Sequence, residues 1–305
     1  MPVTAAYERL KAALSGVVKR DEPLARHTTF RIGGPAALFT ECDTVADLSL
    51  VLDTCEEHGL EWTVLGKGSN VLASDEGYDG VVIVLGRDFR RYTIAEGHLR
   101  VGSGVVLAVL VEEAFKIGLT GLEFAVGIPG TLGGALAMNA GSKDDWIGEI
   151  VESVTLFTPG RGLVALRGSE IVWGYRRTDL SARGIIVEAS LQLEAGDRDH
   201  IRRTMEASLR RRKRSQPLGE PNAGSVFVNP EGDSAGRLVE SLGLKGHRVG
   251  GAMVSDVHAN FIVNTGGATA ADVLELVRQI HESVEDAYGI ELRPEIRFLG
   301  SFRSA

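Results

Sequence analysis

The stretch from Phe124 to Gly141 constrains the fold of this chain more than any other. It reads FAVGIPGTLGGALAMNAG, and between Gly127 and Gly141 it contains five glycines, three alanines and one proline. Only glycine removes the Cβ atom that blocks close approach to the backbone, so this run suits a place where main-chain N–H groups meet a ligand. Phosphate is the usual partner of such a surface. The alternative for this stretch alone is a tight, buried turn between packed elements.

A second loop of small residues favours the ligand hypothesis. Trp62 to Asn70 reads WTVLGKGSN, in which an apolar run ends at Leu65 and is followed by two glycines, a serine and an asparagine. Successive main-chain amides with hydroxyl and amide donors form a nest that binds anions. The sequence contains neither the P-loop motif nor the G-x-G-x-x-G fingerprint. We therefore predict a diphosphate-bearing cofactor held by two loops, without the familiar ATP or NAD motifs.

Composition limits the class of protein and its partners. The 305 residues are enough for two or three domains, with 44% hydrophobic and 24% charged residues. The net charge of −8 argues against nucleic acid as the main partner. No apolar run reaches the roughly 18 residues of a membrane span, and the N-terminal stretch lacks the features of a signal peptide. We expect a cytoplasmic protein without membrane insertion; the sequence carries no signal for oligomeric state.

Metal binding and disulfide bonding are not expected. Cys42 and Cys55 have no metal-ligand spacing and are too few for a disulfide framework. The seven histidines are scattered, without an H-x-x-x-H pair. We interpret both cysteines as free or buried thiols and predict no metal site.

The periodicity of apolar residues predicts a mixed α+β fold. Ala36–Glu41, a helix between Asp43-Thr44 and Gly59, and Glu61–Leu65 read as a compact β-α-β unit. The next region reads as a second, mostly antiparallel subdomain. Its predicted strands are Gly80–Leu85, Leu99–Val101, Val151–Thr158, Gly162–Leu166 and Gly184–Leu193, with a helix over Gly104–Gly118.

The last third of the chain reads as a small α/β domain that follows a basic helix. The helix, Asp197–Arg214, carries seven basic residues between Arg202 and Arg214. Three interpretations of this basic helix are open: a solvated surface, a docking surface for an anionic ligand, or an arm that binds nucleic acid. The predicted elements after it are the strand Gly224–Asn229, the helix Asp233–Leu242, the strand Ala259–Asn264, the helix Thr269–Tyr288 and the strand Glu291–Leu299.

Seven motifs in this order resemble one family. They are TTFRIGGPA, LGKGSNVL, GIPGTLGGALAMNAG, YRRT, NAGSVFVNP, GLKGHRVGGAMVSDVHANFIVN and LRPEIRFLG, and they span nearly the whole chain. The chain resembles the flavoenzyme UDP-N-acetylenolpyruvoylglucosamine reductase of bacterial cell-wall synthesis. The resemblance implies an FAD-binding domain of the vanillyl-alcohol-oxidase type in two subdomains, residues 1–75 and 76–196. A substrate-binding domain, residues 197–305, would follow, with its last strand free to pack back on the FAD domain.

The resemblance also implies a reaction and three catalytic residues. NADPH would reduce FAD, and the reduced flavin would reduce the enolpyruvyl ether of the UDP-sugar to UDP-N-acetylmuramate, a peptidoglycan precursor on which cell shape and division depend. Arg176 in YRRT would hold a carboxylate or enolate with its planar guanidinium. Ser225 in NAGSVFVNP would donate the proton. Glu295 in RPEIRF, predicted to lie on a strand, would either polarise the substrate or, if protonated, donate to the enolate.

The binding residues implied by the resemblance form two groups. The expected cofactor-binding residues are Arg31, Leu65, Gly66, Lys67, Gly68, Ser69, Asn70, Ala125, Gly127, Ile128, Pro129, Gly130, Thr131, Gly133, Gly134, Ala135, Asn139, Ala140, Gly141 and Ile186. Of these, the first glycine loop and residues 127–134 would take the diphosphate and ribityl chain, Asn139 to Gly141 the flavin side and Ile186 the adenine end. The expected substrate-binding residues are Tyr175, Arg210, Lys213 and Asn229.

The sequence departs from the family pattern at two positions. Val228 and Val257 stand where many members carry lysine. Losing two cations would weaken the binding of a diphosphate unless Arg210, Lys213 or His258 compensates. The chain is also short between Gly184 and Asn222, which resembles the shorter subtype that lacks an inserted tyrosine-bearing loop.

Two alternative functions stay open at the level of sequence. One is a different oxidoreductase on the same FAD domain, although the flavin-proximal segment has no His or Cys for a covalent flavin link. The other is a non-catalytic binder of anions or nucleic acid that uses the basic helix. That second alternative leaves both glycine-rich loops unexplained.

Overall fold

The chain contains both helices and strands, with runs of consecutive strands, and the predicted α+β class is confirmed. The computed structural model describes residues 2–141 and 145–302. The α-helices are α1 (Pro2–Ala13), α2 (Val45–His58), α3 (Leu107–Lys116), α4 (Leu132–Ala137), α5 (Leu180–Arg183), α6 (Arg198–Ser215), α7 (Ala235–Ser241) and α8 (Ala270–Tyr288). Short 3₁₀ helices cover Leu24–Arg26, Asp88–Arg90, Glu123–Ala125, Ile147–Ile150 and Gly168–Glu170. Within these described ranges, no helix is both long and apolar enough to cross a membrane.

The strands are numbered in chain order. They are β1 (Val17–Pro23), β2 (Pro35–Cys42), β3 (Trp62–Val64), β4 (Val71–Ala73), β5 (Tyr78–Leu85), β6 (Tyr92–Ala95), β7 (His98–Gly102), β8 (Leu119–Thr120), β9 (Val151–Thr158), β10 (Gly162–Arg167), β11 (Trp173–Gly174), β12 (Arg177–Thr178), β13 (Ile185–Gln192), β14 (Glu194–Ala195), β15 (Asn222–Ser225), β16 (Arg248–Val249), β17 (Ala252–Val254), β18 (Phe261–Asn264) and β19 (Arg297–Leu299).

Contacts within the chain group it into two compact units. Unit 1 contains Met1–Arg20, Leu38–Lys67 and Gly80–Arg210, and unit 2 contains Asp21–Ala37, Gly68–Asp79 and Arg211–Ala305. Unit 1 has two apolar cores and unit 2 has one. The C-terminal third therefore shares its unit with two segments from the first eighty residues. The three-domain division at residues 75 and 196 stays a prediction about functional modules.

The first sheet and the helix α2 form largely as predicted. The helix begins after Thr44, whose hydroxyl accepts from the N–H of Asp47, and it ends at Gly59, whose φ of 62° is left-handed. The strand order is β1-β2-β5-β3, with β3 parallel to β5. The sequence predicted a β2-α2-β3 unit, and the structure inserts β5 between its two strands. Local periodicity defines each strand but not the order in which strands distant in sequence pair.

The carboxylate of Asp47 ties the end of α1 to the start of α2. It is 4% exposed and accepts from the N–H of Ser15 at 2.9 Å, from the Ser15 hydroxyl, and from the N–H groups of Asp43 and Thr44. Burial alone would raise the pKa of Asp47, but these hydrogen bonds outweigh it and lower the pKa below its ordinary 3.8. The ionised carboxylate is therefore the form that the folded protein requires.

The second sheet of unit 1 is antiparallel throughout, where the sequence predicted mostly antiparallel strands. Its order is β10-β9-β13-β7-β6, and β9 covers the predicted Val151–Thr158 without a shift. The assignment of Gly80–Leu85 to this subdomain was wrong, because that strand is part of β5 in the first sheet. The helices α3 and α4 contribute Leu110 and Leu136 to one core with Leu99 and Leu191 of the sheet. This core includes Ala125, Leu132, Ala135 and Ala140, so it anchors the glycine-rich segment through its apolar side chains.

Unit 2 is built on an antiparallel sheet with the order β15-β18-β17-β16. The long helix α8 begins after Thr269 in a capping box and buries Val273, Leu276 and Ile280 against this sheet. The hairpin β16-β17 was not predicted, because its strands are only two and three residues long. The strand β19 pairs in parallel with β4, so the last strand joins a segment close to the first glycine loop.

Two strand predictions in unit 2 are wrong in extent, and Glu295 is affected. Instead of Gly224–Asn229, the strand β15 covers Asn222–Ser225, since Gly224 has a φ of 79° and the register shifts there. Instead of Glu291–Leu299, β19 covers only Arg297–Leu299, so Glu295 lies in the preceding loop. Pro294 forms an isolated bridge with Phe227. It has no N–H group to continue a ladder.

We predict that Asp47→Asn lowers the free energy of unfolding by about 2 to 4 kcal/mol at pH 7, because an amide N–H₂ would then face buried N–H donors. The wild-type contribution is present above pH 3.8 and is lost as the pH falls through the lowered pKa of Asp47. Urea unfolding between pH 3 and 7 measures both effects. Asp53→Asn, an exposed carboxylate on the same helix, is the matched control. Equal stability of the two variants would contradict this account.

Candidate active site

The glycine-rich segment is held by main-chain hydrogen bonds to the loop before α3. Leu107 donates its N–H to the carbonyl of Gly130, Leu132 donates to Val105 and Gly133 donates to Ser103. A Cβ atom on Gly133 would lie 2.9 Å from the Cβ of Ser103. The backbone in this region is thus fixed before any ligand arrives, which is the property that a phosphate-binding segment needs.

The two predicted cofactor loops meet in unit 1 at Gly66 and Thr131. A Cβ atom on Gly66 would lie 2.8 Å from Thr131 Oγ1. Thr131 is the N-cap of α4 and accepts from the N–H of Gly134 at 3.4 Å. A side chain at position 66 would therefore force Thr131 to shift. This contact also brings together two motifs that are separated by about sixty residues in the sequence.

A short hairpin packs against the C-terminal end of α4. The side chain of Asn139 donates to the carbonyl of Gly174 at 3.1 Å and accepts from the N–H of Gly148 at 3.2 Å. Thr178 donates its hydroxyl to the carbonyls of Leu136 and Ala137. These bonds fix β11 and β12, and with them the predicted catalytic motif YRRT, on the glycine-rich segment. The side chain of Asn139 therefore stabilises this hairpin, in addition to its predicted position beside the flavin.

Arg176 occupies the turn of that hairpin. Gly174 pairs with Arg177, which leaves Tyr175 and Arg176 as a two-residue turn. Arg176 is half-buried with a φ of 56°, and its guanidinium carbon lies 5.7 Å from the centroid of the Tyr175 ring. Tyr175 is 53% exposed. A fixed turn presents the cation in one orientation, which suits an arginine that must hold a carboxylate.

Backbone strain is concentrated at predicted site residues. Within residues 2–141 and 145–302, the residues other than glycine with positive φ are Asp21, Arg31, Glu96, Asn139 and Arg176. Three of these five, Arg31, Asn139 and Arg176, were predicted from the sequence to bind cofactor or to act in catalysis. Such conformations cost about 1 to 3 kcal/mol each and persist where surrounding structure imposes them. No sequence pattern indicated the strain.

In unit 2, Ser225 and Glu295 come together through one hydrogen bond. The N–H of Glu295 donates to the carbonyl of Val226, the residue after Ser225, at 2.7 Å. In the same irregular pairing, Val228 donates to the carbonyl of Arg293 at 2.9 Å. Ser225 and Glu295 are both half-buried. The main chain thereby brings the segments of two of the three predicted catalytic residues together, although seventy residues separate them in the sequence.

The end of the first glycine loop contacts this pair. Asn70 donates its side-chain N–H to the carbonyl of Glu295 at 3.2 Å and accepts from the N–H of Arg297 at 2.9 Å through its own carbonyl. Thr29 donates its hydroxyl to the carbonyl of Asn222 at 2.7 Å and its N–H to Gly68 at 3.3 Å. The sequence analysis did not identify Thr29 as a residue that connects Gly68 with Asn222. The feature that could have indicated it is its position in the motif TTFRIGG.

Several other predicted site residues differ in their exposure and in their contacts. Arg31 is exposed and borders an open cavity of about 440 Å³ in unit 2. Ile186 is buried in the core of unit 1 at 7% exposure, and Ala125 and Leu65 are also buried. Asn229 accepts from the N–H of Ala235 at 3.1 Å through its side chain, which fixes the approach to α7.

The basic helix α6 is largely solvated. Its basic side chains at positions 202, 203, 210, 211, 213 and 214 are exposed, and Arg210 pairs with Glu206 one turn earlier at 3.2 Å. The role of Arg210 and Lys213 in substrate binding stays a prediction. Among the residues described, no cluster of three or more His, Cys, Asp or Glu side chains could hold a metal ion.

The thiols are buried in the core between the first sheet and α1 and α2. Cys42 and Cys55 are both free. Burial raises the pKa of each thiol to about 12. A protonated, inaccessible thiol is not a nucleophile at neutral pH, so neither cysteine is a candidate for catalysis.

Two family models match the chain. The model described as "FAD binding domain" matches residues 36–165, and the model described as "UDP-N-acetylenolpyruvoylglucosamine reductase, C-terminal domain" matches residues 216–299. The first contains both glycine-rich loops, and the second contains Ser225 and Glu295. The second match separates this chain from oxidoreductases that share only the FAD-binding domain.

Relatives cover nearly the full length of the chain. It is 47% identical to UDP-N-acetylenolpyruvoylglucosamine reductase from Heliobacterium modesticaldum over 92% of this chain and 90% of that protein. It is 42% identical to the reductase of the same name from Bacillus licheniformis, over 97% of this chain and 98% of that protein.

A solved structure agrees with the sequence comparisons. The crystal structure of UDP-N-acetylenolpyruvylglucosamine reductase from Thermus caldophilus superposes with a TM-score of 0.82 at 38% identity, over 94% of this chain and 100% of that one. Together with the two family-model matches, it confirms the predicted α+β fold with an FAD-binding domain and the C-terminal domain of this reductase family. The chain belongs to the UDP-N-acetylenolpyruvoylglucosamine reductase family and is an FAD-dependent oxidoreductase.

Proposed function

We propose that this enzyme reduces the enolpyruvyl ether of UDP-N-acetylglucosamine to UDP-N-acetylmuramate, with NADPH as hydride donor. The observation that carries the proposal is the 2.7 Å hydrogen bond between Glu295 and Val226, which makes Ser225 and Glu295 neighbours at the end of the first glycine loop. A cytoplasmic location, in which both small-molecule partners occur, is part of the proposal.

The residues present fit an FAD. The glycine-rich segment offers a main chain that hydrogen bonds fix, with glycine at positions 127, 130, 133 and 134. The first loop comes close to this segment where Gly66 faces Thr131. Residues 66–70 and 127–134 would hold the diphosphate and ribityl chain, and residues 139–141 the flavin side. When bound, FAD supplies the hydride that it has received from NADPH.

The reaction requires stabilisation of negative charge beside the substrate carboxylate. Hydride addition to the carbon beta to that carboxylate develops an enolate, which needs a preorganised cation or donor. Arg176 is proposed for this role, because the hairpin turn fixes its backbone and its guanidinium can make two parallel bonds to a carboxylate. A lysine would supply the charge without this geometry.

A proton must then reach the adjacent carbon. Ser225 is proposed as the donor to that carbon, since it is half-buried and its main chain is fixed by pairing with Phe261. A serine hydroxyl is a weak acid, so it requires a basic acceptor such as the developing carbanion. Glu295 is proposed to act on the same intermediate, either by polarising the substrate as a carboxylate or by donating to the enolate when protonated.

The visible absorption spectrum of the purified protein tests the overall proposal. We expect flavin bands that bleach when NADPH is added without oxygen and return when the enolpyruvyl UDP-sugar is added. Bands that bleach but do not return would keep the flavoenzyme and exclude this substrate. A protein without flavin bands, even after FAD is added, would contradict the cofactor as well.

We predict that Ser225→Ala leaves the reduction of flavin by NADPH unchanged and slows its reoxidation by the UDP-sugar by about 10² to 10⁴-fold, the usual contribution of a positioned acid. Stopped-flow absorbance measures each half-reaction separately. Ser241→Ala, a serine near the end of α7 in the same unit, is the control and should behave as the wild type. A similar loss in both half-reactions of Ser225→Ala would refute the proton-donor role.

We predict that Arg176→Lys slows the same reoxidation step by about 10 to 10²-fold, because the charge remains and the paired hydrogen bonds are lost. Arg177→Lys, an exposed neighbour in the same hairpin, should have little effect. The measurement is the rate of flavin reoxidation at saturating UDP-sugar. Identical rates for the two variants would remove Arg176 from the reaction.

A further inference from the structure

Asn260 is a buried polar residue that the sequence did not single out. It is 3% exposed and lies just before β18, within unit 2. Its side-chain N–H donates to the carbonyl of Phe227 at 2.8 Å, and its side-chain oxygen accepts from the N–H of the same residue at 2.9 Å. Its main-chain carbonyl accepts from the N–H of Val226 at 2.8 Å. Three hydrogen bonds from one residue thus hold the two residues that follow Ser225.

These bonds take the place of a β-ladder beyond the end of β15. The strand β15 ends at Ser225, and among the described residues Phe227 is paired with Pro294 in an isolated antiparallel bridge. The hydrogen bonds of that bridge run from Val228 to Arg293 and from Glu295 to Val226, so the N–H and carbonyl of Phe227 point away from Pro294. Without another partner, the buried N–H and carbonyl of Phe227 would be unsatisfied. The side-chain amide of Asn260 has one donor and one acceptor in the geometry of a peptide group, and it fills this gap.

The held segment connects directly to both predicted catalytic residues of unit 2. Ser225 precedes Val226 in the chain, and the carbonyl of Val226 accepts from the N–H of Glu295 at 2.7 Å. On the far side, the carbonyl of Glu295 accepts from Asn70 at 3.2 Å. A shift of Val226 or Phe227 therefore moves Ser225 and Glu295 relative to each other.

We propose that Asn260 is a positioning residue, which fixes the separation of the Ser225 hydroxyl and the Glu295 carboxyl through its clamp on Phe227. The inference rests on the proposed function and extends it to a residue without a chemical role of its own. Displacement of a reacting group by about 1 Å can cost about 10²-fold in rate, so a clamp on the adjoining peptide is sufficient to matter.

The residue that supports Asn260 is His258. Its Nδ1 accepts from the N–H of Asn260 at 3.1 Å, and its ring lies 4.9 Å from that of Phe261. Burial lowers the pKa of His258 below its ordinary 6.5, and the positive charge of Lys245 adds to this effect, while Glu240 opposes it. A neutral imidazole is the form that can accept this hydrogen bond. His258 therefore also fixes the main chain of Asn260, the residue whose side chain holds Phe227.

The first test compares Asn260→Ala with Asp75→Ala in the complete, FAD-loaded enzyme. Asp75 also makes two side-chain hydrogen bonds to main chain in unit 2, to the N–H groups of Ala270 at 2.7 Å and Ala271 at 3.0 Å. We expect both variants to lose thermal stability. Asn260→Ala should slow flavin reoxidation by the UDP-sugar at least tenfold and leave reduction by NADPH within about twofold. Asp75→Ala should keep both rates near those of the wild type.

The second test uses Asn260→Asp, which keeps the shape of the side chain. An ionised carboxylate still accepts from the N–H of Phe227 but is repelled by its carbonyl. A protonated carboxyl restores both bonds, because its O–H donates and its carbonyl accepts. Burial raises the pKa of such a group. We therefore expect the reoxidation rate of Asn260→Asp, divided by that of the wild type at the same pH, to rise as the pH falls.

The outcomes separate this inference from the proposed function. Wild-type enzyme whose reduced flavin is not reoxidised by the UDP-sugar would overturn both. Wild-type turnover, together with an Asn260→Ala variant that matches Asp75→Ala or an Asn260→Asp ratio that is flat with pH, would overturn the positioning role alone. If Asn260→Ala does not fold, the pH profile of Asn260→Asp decides by itself, provided that each reoxidation rate is divided by the rate of flavin reduction by NADPH in the same sample at the same pH. Partial unfolding would lower both rates alike and leave this quotient independent of pH.

Discussion

The hydrogen bond from the N–H of Glu295 to the carbonyl of Val226 is the contact on which the proposed catalytic pair Ser225 and Glu295 in unit 2 depends. It joins two loops that are not regular strands. Its neighbours are fixed by side chains: Asn260 holds Phe227, and Asn70 holds the carbonyl of Glu295. The pairing is therefore built from individual amide groups rather than from a continuing sheet.

The predicted cofactor loops in unit 1 depend on a different feature, the close approach of small residues. A Cβ atom would lie 2.8 Å from Thr131 Oγ1 if it were added to Gly66 and 2.9 Å from the Cβ of Ser103 if it were added to Gly133. Positive φ values occur at Asn139, within the glycine-rich segment, and at Arg176, in the hairpin that packs on it. The core formed with α3, α4 and the antiparallel sheet stabilises this backbone. The proposed roles require such rigidity, because donors aimed at a diphosphate or at a developing enolate must not reorganise during the reaction.

Asparagine side chains perform much of the fixing in both units. Asn139 links the glycine-rich segment to the YRRT hairpin, Asn70 links the first loop to Glu295, and Asn260 completes the pairing of Phe227. An amide side chain is suited to this task, since it carries a donor and an acceptor and no charge that burial would penalise. Substitution of such a residue should alter rates through geometry, which is why the half-reactions and their pH dependence are more informative than overall activity.

The sequence by itself determined the elements, the cofactor class and the family. The capping box at Thr44, the left-handed Gly59 and the strand Val151–Thr158 were each readable from local pattern, because caps, turns and periodicity are properties of neighbouring residues. The tertiary structure alone decided the insertion of β5 between β2 and β3, the loop position of Glu295, the positive φ of Arg176 and the clamp made by Asn260. Each of these depends on contacts between residues that are distant in sequence. One sequence contains no record of such contacts, because hydrogen-bond partners of the backbone are chosen by packing rather than by residue type.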